Sequence, residues 1–195
     1  MQDKGVLDGP QLTKKARITP ALKTLIWARY IGPGLNKASC PLCNMYELQR
    51  NANSGFEAAH IIASRWYAED KLTVYYAVPS CAACNNECND ACLLDYLYCR
   101  GRMNALRHLI RCIYAAYTEE NPNETHNIVH IMSRLYGPAR FKAGGGLVNT
   151  TEIYNIALAE QTTLLTRQLQ TLTQKLQETS AELVALTCTC TWQTH

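Results

Sequence analysis

The sequence predicts a mostly helical α+β chain: a small two-stranded finger embedded in a helical domain, followed by a C-terminal coiled-coil helix. Three observations carry this. The two strand-like runs both fall between two Cys-x-x-Cys pairs, Cys40/Cys43 and Cys81/Cys84. The segments on either side have helical composition and spacing. Beyond residue 150 leucine recurs on a strict seven-residue repeat.

Taken in order, the first 18 residues are polar and basic, with Lys14, Lys15 and Arg17, and read as an arm. Thr19-Pro20 has the form of an N-cap followed by proline at the first helical position, and predicts a helix over 21–30 that Gly32-Pro33-Gly34 stops. The run 56–63 is short and ends in β-branched residues, and 72–78 (Leu-Thr-Val-Tyr-Tyr-Ala-Val) has the strongest β character. Pro79 is expected to end the second strand. A helix then runs from Asn85 through Leu97 to a break near Gly101. Leu106, Leu109, Ile110, Ile113 and Tyr114 give a helix over 103–117 with one apolar stripe, and a further helix is expected over 125–135. Gly144-Gly145-Gly146 reads as a hinge.

After the hinge, position a falls on Asn155, Thr162, Leu169, Leu176 and Leu183, and d on Leu158, Leu165, Leu172, Thr179 and Leu186, so seven of ten seam positions are leucine. A helix packed only on its own domain carries a 3.6-residue stripe that drifts, whereas this seam holds 3.5. The expected partner is a second copy through 155–186, or a larger protein assembly. The organisation is an arm over 1–18, a helical domain over 19–143 with the finger at 40–98, a hinge over 144–150, a coiled coil over 151–187 and a tail over 188–195.

Composition narrows the function. The chain has 195 residues, 47% of them hydrophobic, enough for a real core. Its apolar runs are broken too often for a membrane span, and the N-terminus has no apolar signal region. Residues 1–150 hold 17 Lys and Arg against 12 Asp and Glu, and residues 151–195 hold 2 against 4. The first part is therefore the one suited to a polyanion. Ten cysteines in a chain without a secretory signal point to a reducing compartment, cytoplasm or nucleus, with a virion as a further possibility. The sequons at Asn123 and Asn149 matter only in a secreted protein.

Paired cysteines at this spacing suit tetrahedral zinc, because each pair takes one edge of the tetrahedron while the intervening chain folds back. Cys40, Cys43, Cys81 and Cys84 are the expected structural Zn2+ ligands, contributing folding free energy directly. Cys88 and Cys92 are expected on the face that Cys84 shares, Cys99 and Cys112 in the core. Cys188 and Cys190, near Trp192 and His195, read as a frayed tail or as an interchain metal site. His126 and His130 have i, i+4 spacing on a helix face and read as solvated. His108 has no evident partner.

Between the cysteine pairs, Glu57-Ala58-Ala59-His60-Ile61-Ile62, followed by Ala77-Val78-Pro79-Ser80-Cys81-Ala82-Ala83-Cys84-Asn85, resembles the HNH (ββα-metal, His-Me finger) endonuclease family over roughly residues 40–90. The resemblance implies metal-dependent hydrolysis of DNA phosphodiesters. It makes His60 the general base, a role suited to a neutral imidazole, and Asn85 the ligand of a catalytic Mg2+ or Mn2+. Two positions depart from the pattern. Ala59 replaces the frequent aspartate before the histidine, and Tyr76 stands where an asparagine orients it. Glu57, on the strand face of Ala59, is the candidate replacement carboxylate. Arg65, Arg100, Arg102, Arg107 and Arg111 are candidate non-specific phosphate contacts. The competing expectation is a catalytically inactive structural protein that keeps the finger as a scaffold and assembles through its coil, for example in a virus particle.

Overall fold

The structure, a computed structural model of the chain, describes residues 18–50, 55–63, 74–124, 126–137 and 146–190, with side chains as far as 186. Among these residues the fold is α+β and mostly helical. The order is α1 (Pro20–Tyr30), β1 (Lys37–Ser39), β2 (Glu47–Gln49), β3 (Glu57–His60), β4 (Ala77–Ser80), α2 (Ala82–Cys88), α3 (Leu93–Cys99), α4 (Met103–Glu120), α5 (Ile128–Tyr136) and α6 (Thr150–Cys190). No helix among the described residues is long and apolar enough to cross a membrane.

Helix α1 begins as its sequence dictates. The Thr19 hydroxyl accepts the Leu22 N–H (3.2 Å) and Pro20 opens the helix where no N–H is needed. Its inner face buries Ile26, Trp27 and Tyr30. Trp27 donates to the Leu35 carbonyl (2.6 Å) and Tyr30 to the Val74 carbonyl (2.9 Å), so both polar tips are satisfied inside the core.

Two antiparallel hairpins follow. In the first, Ala38 faces Leu48, and the connection carries Cys40 and Cys43. The second pairs Glu57 with Ser80 and His60 with Ala77. Pro79 lies inside β4 rather than ending it. The Ile61 N–H donates to the Tyr76 carbonyl (2.8 Å), so hydrogen-bonded pairs fall on alternate residues. That leaves Pro79, opposite Ala58, at a non-bonded position where its missing N–H costs no ladder bond. The expected strand at 72–78 is thus shifted: 74–76 form a turn and the paired residues are Ala77–Ser80.

The helix expected from Asn85 through Leu97 is two helices. Asn89 has φ 46°, a left-handed conformation that asparagine tolerates, and its N–H closes α2 on the Asn85 carbonyl. The chain then turns so that α3 buries Leu93, Leu94, Asp95, Tyr96 and Leu97. Helix α4 buries the predicted stripe of Leu106, Leu109, Ile110 and Ile113. Each such side chain contributes about 1.5–3 kcal/mol relative to exposure. Helix α5 starts at Ile128, capped by the Asn127 side chain on the His130 N–H (3.1 Å), so His126 lies outside it and does not share a helical face with His130.

The stretch from Gly146 to Thr150, part of the expected hinge, is docked. Leu147 is buried and its N–H reaches the Tyr136 carbonyl (2.9 Å). The Asp95 carboxylate accepts the N–H groups of Val148 (2.8 Å) and Asn149 (2.7 Å) and the Asn149 carboxamide (2.8 Å), serving as a cap supplied from α3 to the start of α6. The first three turns of α6 pack on α4 and α5 through Ile153 and Ala157, both fully buried. From Thr162 the helix is almost wholly exposed through residue 186.

Candidate metal centre and the adjoining cleft

The first hairpin turns tightly because Asn44 adopts φ 59°. The Cys40 N–H bonds the Tyr46 carbonyl and the Asn44 N–H the Cys40 carbonyl, both at 2.8 Å. This holds Cys40 and Cys43 at the tip. The second pair straddles the end of β4 and the start of α2, where the Cys81 sulfur caps the helix by accepting the Cys84 N–H at 3.4 Å. The four sulfurs lie within 4.8 Å of one another. A tetrahedron with metal–sulfur bonds of about 2.3 Å has sulfur–sulfur edges of about 3.8 Å, and Cys43 to Cys81 is 3.9 Å. The set therefore fits a metal such as zinc. Among the described residues no other group of three or more His, Cys, Asp or Glu donors converges in this way.

Backbone N–H groups already point at the sulfurs: Met45 to Cys43 (3.5 Å) and Cys81 to Cys40 (3.4 Å). Arg102 adds a positive charge, its Nη1 3.4 Å from the Cys84 sulfur and its Nη2 3.2 Å from Glu87. The Arg102 guanidinium also lies 5.4 Å from the centre of the Tyr96 ring. Tyr96 in turn donates to Glu87. Burial, then the neighbouring thiols Cys81 and Cys43, push the Cys84 thiol well up. Burial raises Cys40. At Cys43 burial is outweighed by the Met45 N–H and the adjacent thiols, and the pKa falls. A dication bound among the four sulfurs would favour their thiolate forms.

Beside this cluster a cleft of about 290 Å3 is lined by His60, Ala63, Asn85, Asn86, Cys88, Asn89 and Asp90. Helix α2 packs on β3, and the Asn85 carboxamide donates to the Glu57 carboxylate. The structure thus brings His60 and Asn85 to one cleft, whereas Glu57, three residues from His60 on β3, lies on the other strand face and reaches only Asn85. Burial lowers the pKa of the His60 imidazole, which favours its neutral form. Ala59 is fully buried and Tyr76 is a core residue, its ring edge-on to Tyr136 at 6.3 Å.

The arginines are dispersed. Arg100 stacks over Tyr96 (5.8 Å) and Arg102 belongs to the cysteine cluster. Arg107 and Arg111 both reach Glu160 on α6, at 3.6 and 3.0 Å. Arg65, Lys14, Lys15 and Arg17 lie outside the described residues, as do Trp192 and His195 and the side chains of Cys188 and Cys190. Cys88 and Cys92 are buried but outside the four-sulfur group. Cys99 is exposed rather than core, at the end of α3. His108 does have partners, the Tyr30 carbonyl at 3.3 Å and the Cys112 sulfur at 3.7 Å.

The sequence reading missed the first hairpin, the role of Arg102 and the contribution of Asn86, Asn89 and Asp90 to the cleft. The polar run Asn85-Asn86-Glu87-Cys88-Asn89-Asp90 was a visible signal for the last of these; nothing in the local sequence marks Arg102, which reaches Cys84 only because α3 folds back. No protein-family model, no curated protein and no solved structure matches this chain.

Proposed function

We propose that this chain is a zinc-stabilised protein of the HNH kind that binds DNA and hydrolyses its phosphodiester bonds at the His60 cleft. The observation that supports this reading is a cleft lined by both the half-buried His60 and Asn85, with Asn85 also bonded to Glu57, beside a four-cysteine cluster.

In this reading zinc on Cys40, Cys43, Cys81 and Cys84 ties the first hairpin to the start of α2 and so fixes Asn85 relative to β3. His60 takes a proton from a water whose oxygen attacks phosphorus. The new P–O bond forms as the bond to the deoxyribose oxygen breaks, and that oxygen leaves with a proton from solvent. Asn85 and Glu57 offer the hard oxygen donors that magnesium or manganese prefers, with water completing the shell. A cation held there would supply positive charge as charge develops on the phosphate. Phosphate contacts beyond the cleft fall to the arm, Arg65 and Arg100, because Arg107 and Arg111 are engaged by Glu160. The site belongs in a reducing compartment, where the thiols stay free.

A second reading has its own observations. The carboxylate that the family often carries before the histidine is Ala59, packed in the core, and the distal part of α6 presents a long outward leucine seam suited to self-association. On that reading the finger is a scaffold in an assembly protein.

Supercoiled plasmid incubated with zinc-loaded protein and magnesium separates the two. Nicking that disappears in His60→Ala, with zinc content unchanged, is the expected result. Absence of nicking with both magnesium and manganese overturns the catalytic reading. Absence of a gel shift as well removes DNA as partner and leaves the assembly protein.

A further inference from the structure

Helix α6 has two different halves. Its first turns are fastened to the helical body: Ile153 and Ala157 are fully buried, the Glu160 carboxylate holds Arg107 and Arg111, and the Gln161 side chain accepts the Ile128 N–H at 3.1 Å. Beyond that the helix overhangs. Leu158 and Leu165 are about half exposed, whereas Leu169, Leu172, Leu176, Leu183 and Leu186 are 59–72% exposed. An apolar surface of this length on one helix face marks an interaction site.

We infer that the overhanging part of α6 pairs with a second copy of this chain in the antiparallel orientation, with residues 169–186 facing residues 186–169 of the copy. The inference rests on the self-association reading of the seam and adds its direction and register.

The charges on the seam's flanks choose the direction. Lys175 and Glu182 occupy g positions, while the e positions over the same stretch are Thr173 and Ser180. In a parallel pair g faces e, so Lys175 meets Ser180 and neither charge is answered. In an antiparallel pair g faces g. Setting Leu169 against the partner's Leu186 and Leu172 against the partner's Leu183 brings Lys175 opposite the partner's Glu182, twice by symmetry. Sliding the pair by one heptad instead sets two Lys175 side chains face to face. In the proposed register Thr179 lies opposite the partner's Leu176, and its hydroxyl is already satisfied by the Lys175 carbonyl of its own helix (2.9 Å).

In this register Cys190 lies level with the partner's residue 165. The two bodies then sit at opposite ends, their Glu160 residues separated by about 50 Å at about 1.5 Å per residue. The antiparallel arrangement also sets the two helix dipoles head to tail.

The test uses the full-length protein. Sedimentation velocity is expected to give a dimer, and a photo-crosslinker introduced as Leu172→p-benzoylphenylalanine is expected to join the partner near Leu183 in mass spectra. Crosslinks to the partner's residue 172 overturn the antiparallel register while leaving self-association intact; a monomer at every concentration overturns self-association itself. As a second measure, Lys175→Glu is expected to weaken dimerisation about tenfold, by turning two attractions into two repulsions. The double variant Lys175→Glu with Glu182→Lys is expected to restore it at equal helix content by circular dichroism. A dimer constant that ignores both changes overturns the proposed facing of charges.

Discussion

Arg102 offers a sharp test of the metal centre. Its guanidinium donates to the Cys84 sulfur at 3.4 Å and to Glu87 at 3.2 Å, and four thiolates around a zinc ion leave a net charge of −2 for the surroundings to offset. Arg102→Ala removes one charge-assisted hydrogen bond to a metal-bound sulfur, worth about 1.5–3 kcal/mol. The side chain is a quarter exposed, and solvent screening moves the expectation to the lower end. The predicted outcome is a zinc dissociation constant raised about tenfold, at the lower edge of the 10- to 100-fold range usual for groups that support metal ligands. Competition against a chromophoric chelator at pH 7.5 measures it directly. Arg102→Lys keeps the charge but loses the fork that spans Cys84 and Glu87, so its affinity is expected between wild type and Arg102→Ala. An Arg102→Ala protein that holds zinc within twofold of wild type refutes the argument.

Two further outcomes follow from the geometry. Burial holds the His60 pKa below its ordinary value near 6.5, so between the folded and unfolded values the unfolded chain binds more protons and stability rises with pH. The urea midpoint is expected to fall as pH drops below about 6.5, and less steeply in His60→Gln; identical slopes contradict this. Asp95→Ala removes three hydrogen bonds to the start of α6 and is expected to cost about 2–3 kcal/mol of stability, with faster amide exchange over 146–157. A loss under about 0.5 kcal/mol, within the range of an ordinary surface substitution, speaks against the cap.

Local signals were legible wherever a single side chain or a short spacing decides the outcome. Thr19-Pro20 started α1, the apolar stripe from Leu106 to Ile113 became the buried face of α4, and the two Cys-x-x-Cys pairs met because sulfur spacing restricts how the chain can fold back. Boundaries that depend on pairing were not legible. Pro79 looked like a strand end and became a strand interior, because the register set by Ile61 and Tyr76 left it a position needing no N–H. Asn89 gave no apolar signal, yet its left-handed backbone divides α2 from α3.

By itself the sequence determined the start of α1, the buried stripe of α4, the two Cys-x-x-Cys pairs and the leucine period, since each is fixed by residues a few positions apart. Only the tertiary structure decided what the charges do. Arg102 turned to a sulfur, Arg107 and Arg111 turned to Glu160, and Asp95 anchored Val148 and Asn149 at the start of α6. The reason is physical: a long cationic side chain or a buried carboxylate takes whichever counter-charge or N–H the fold brings within about 3 Å, and those partners lie 18 to 54 residues away in the chain.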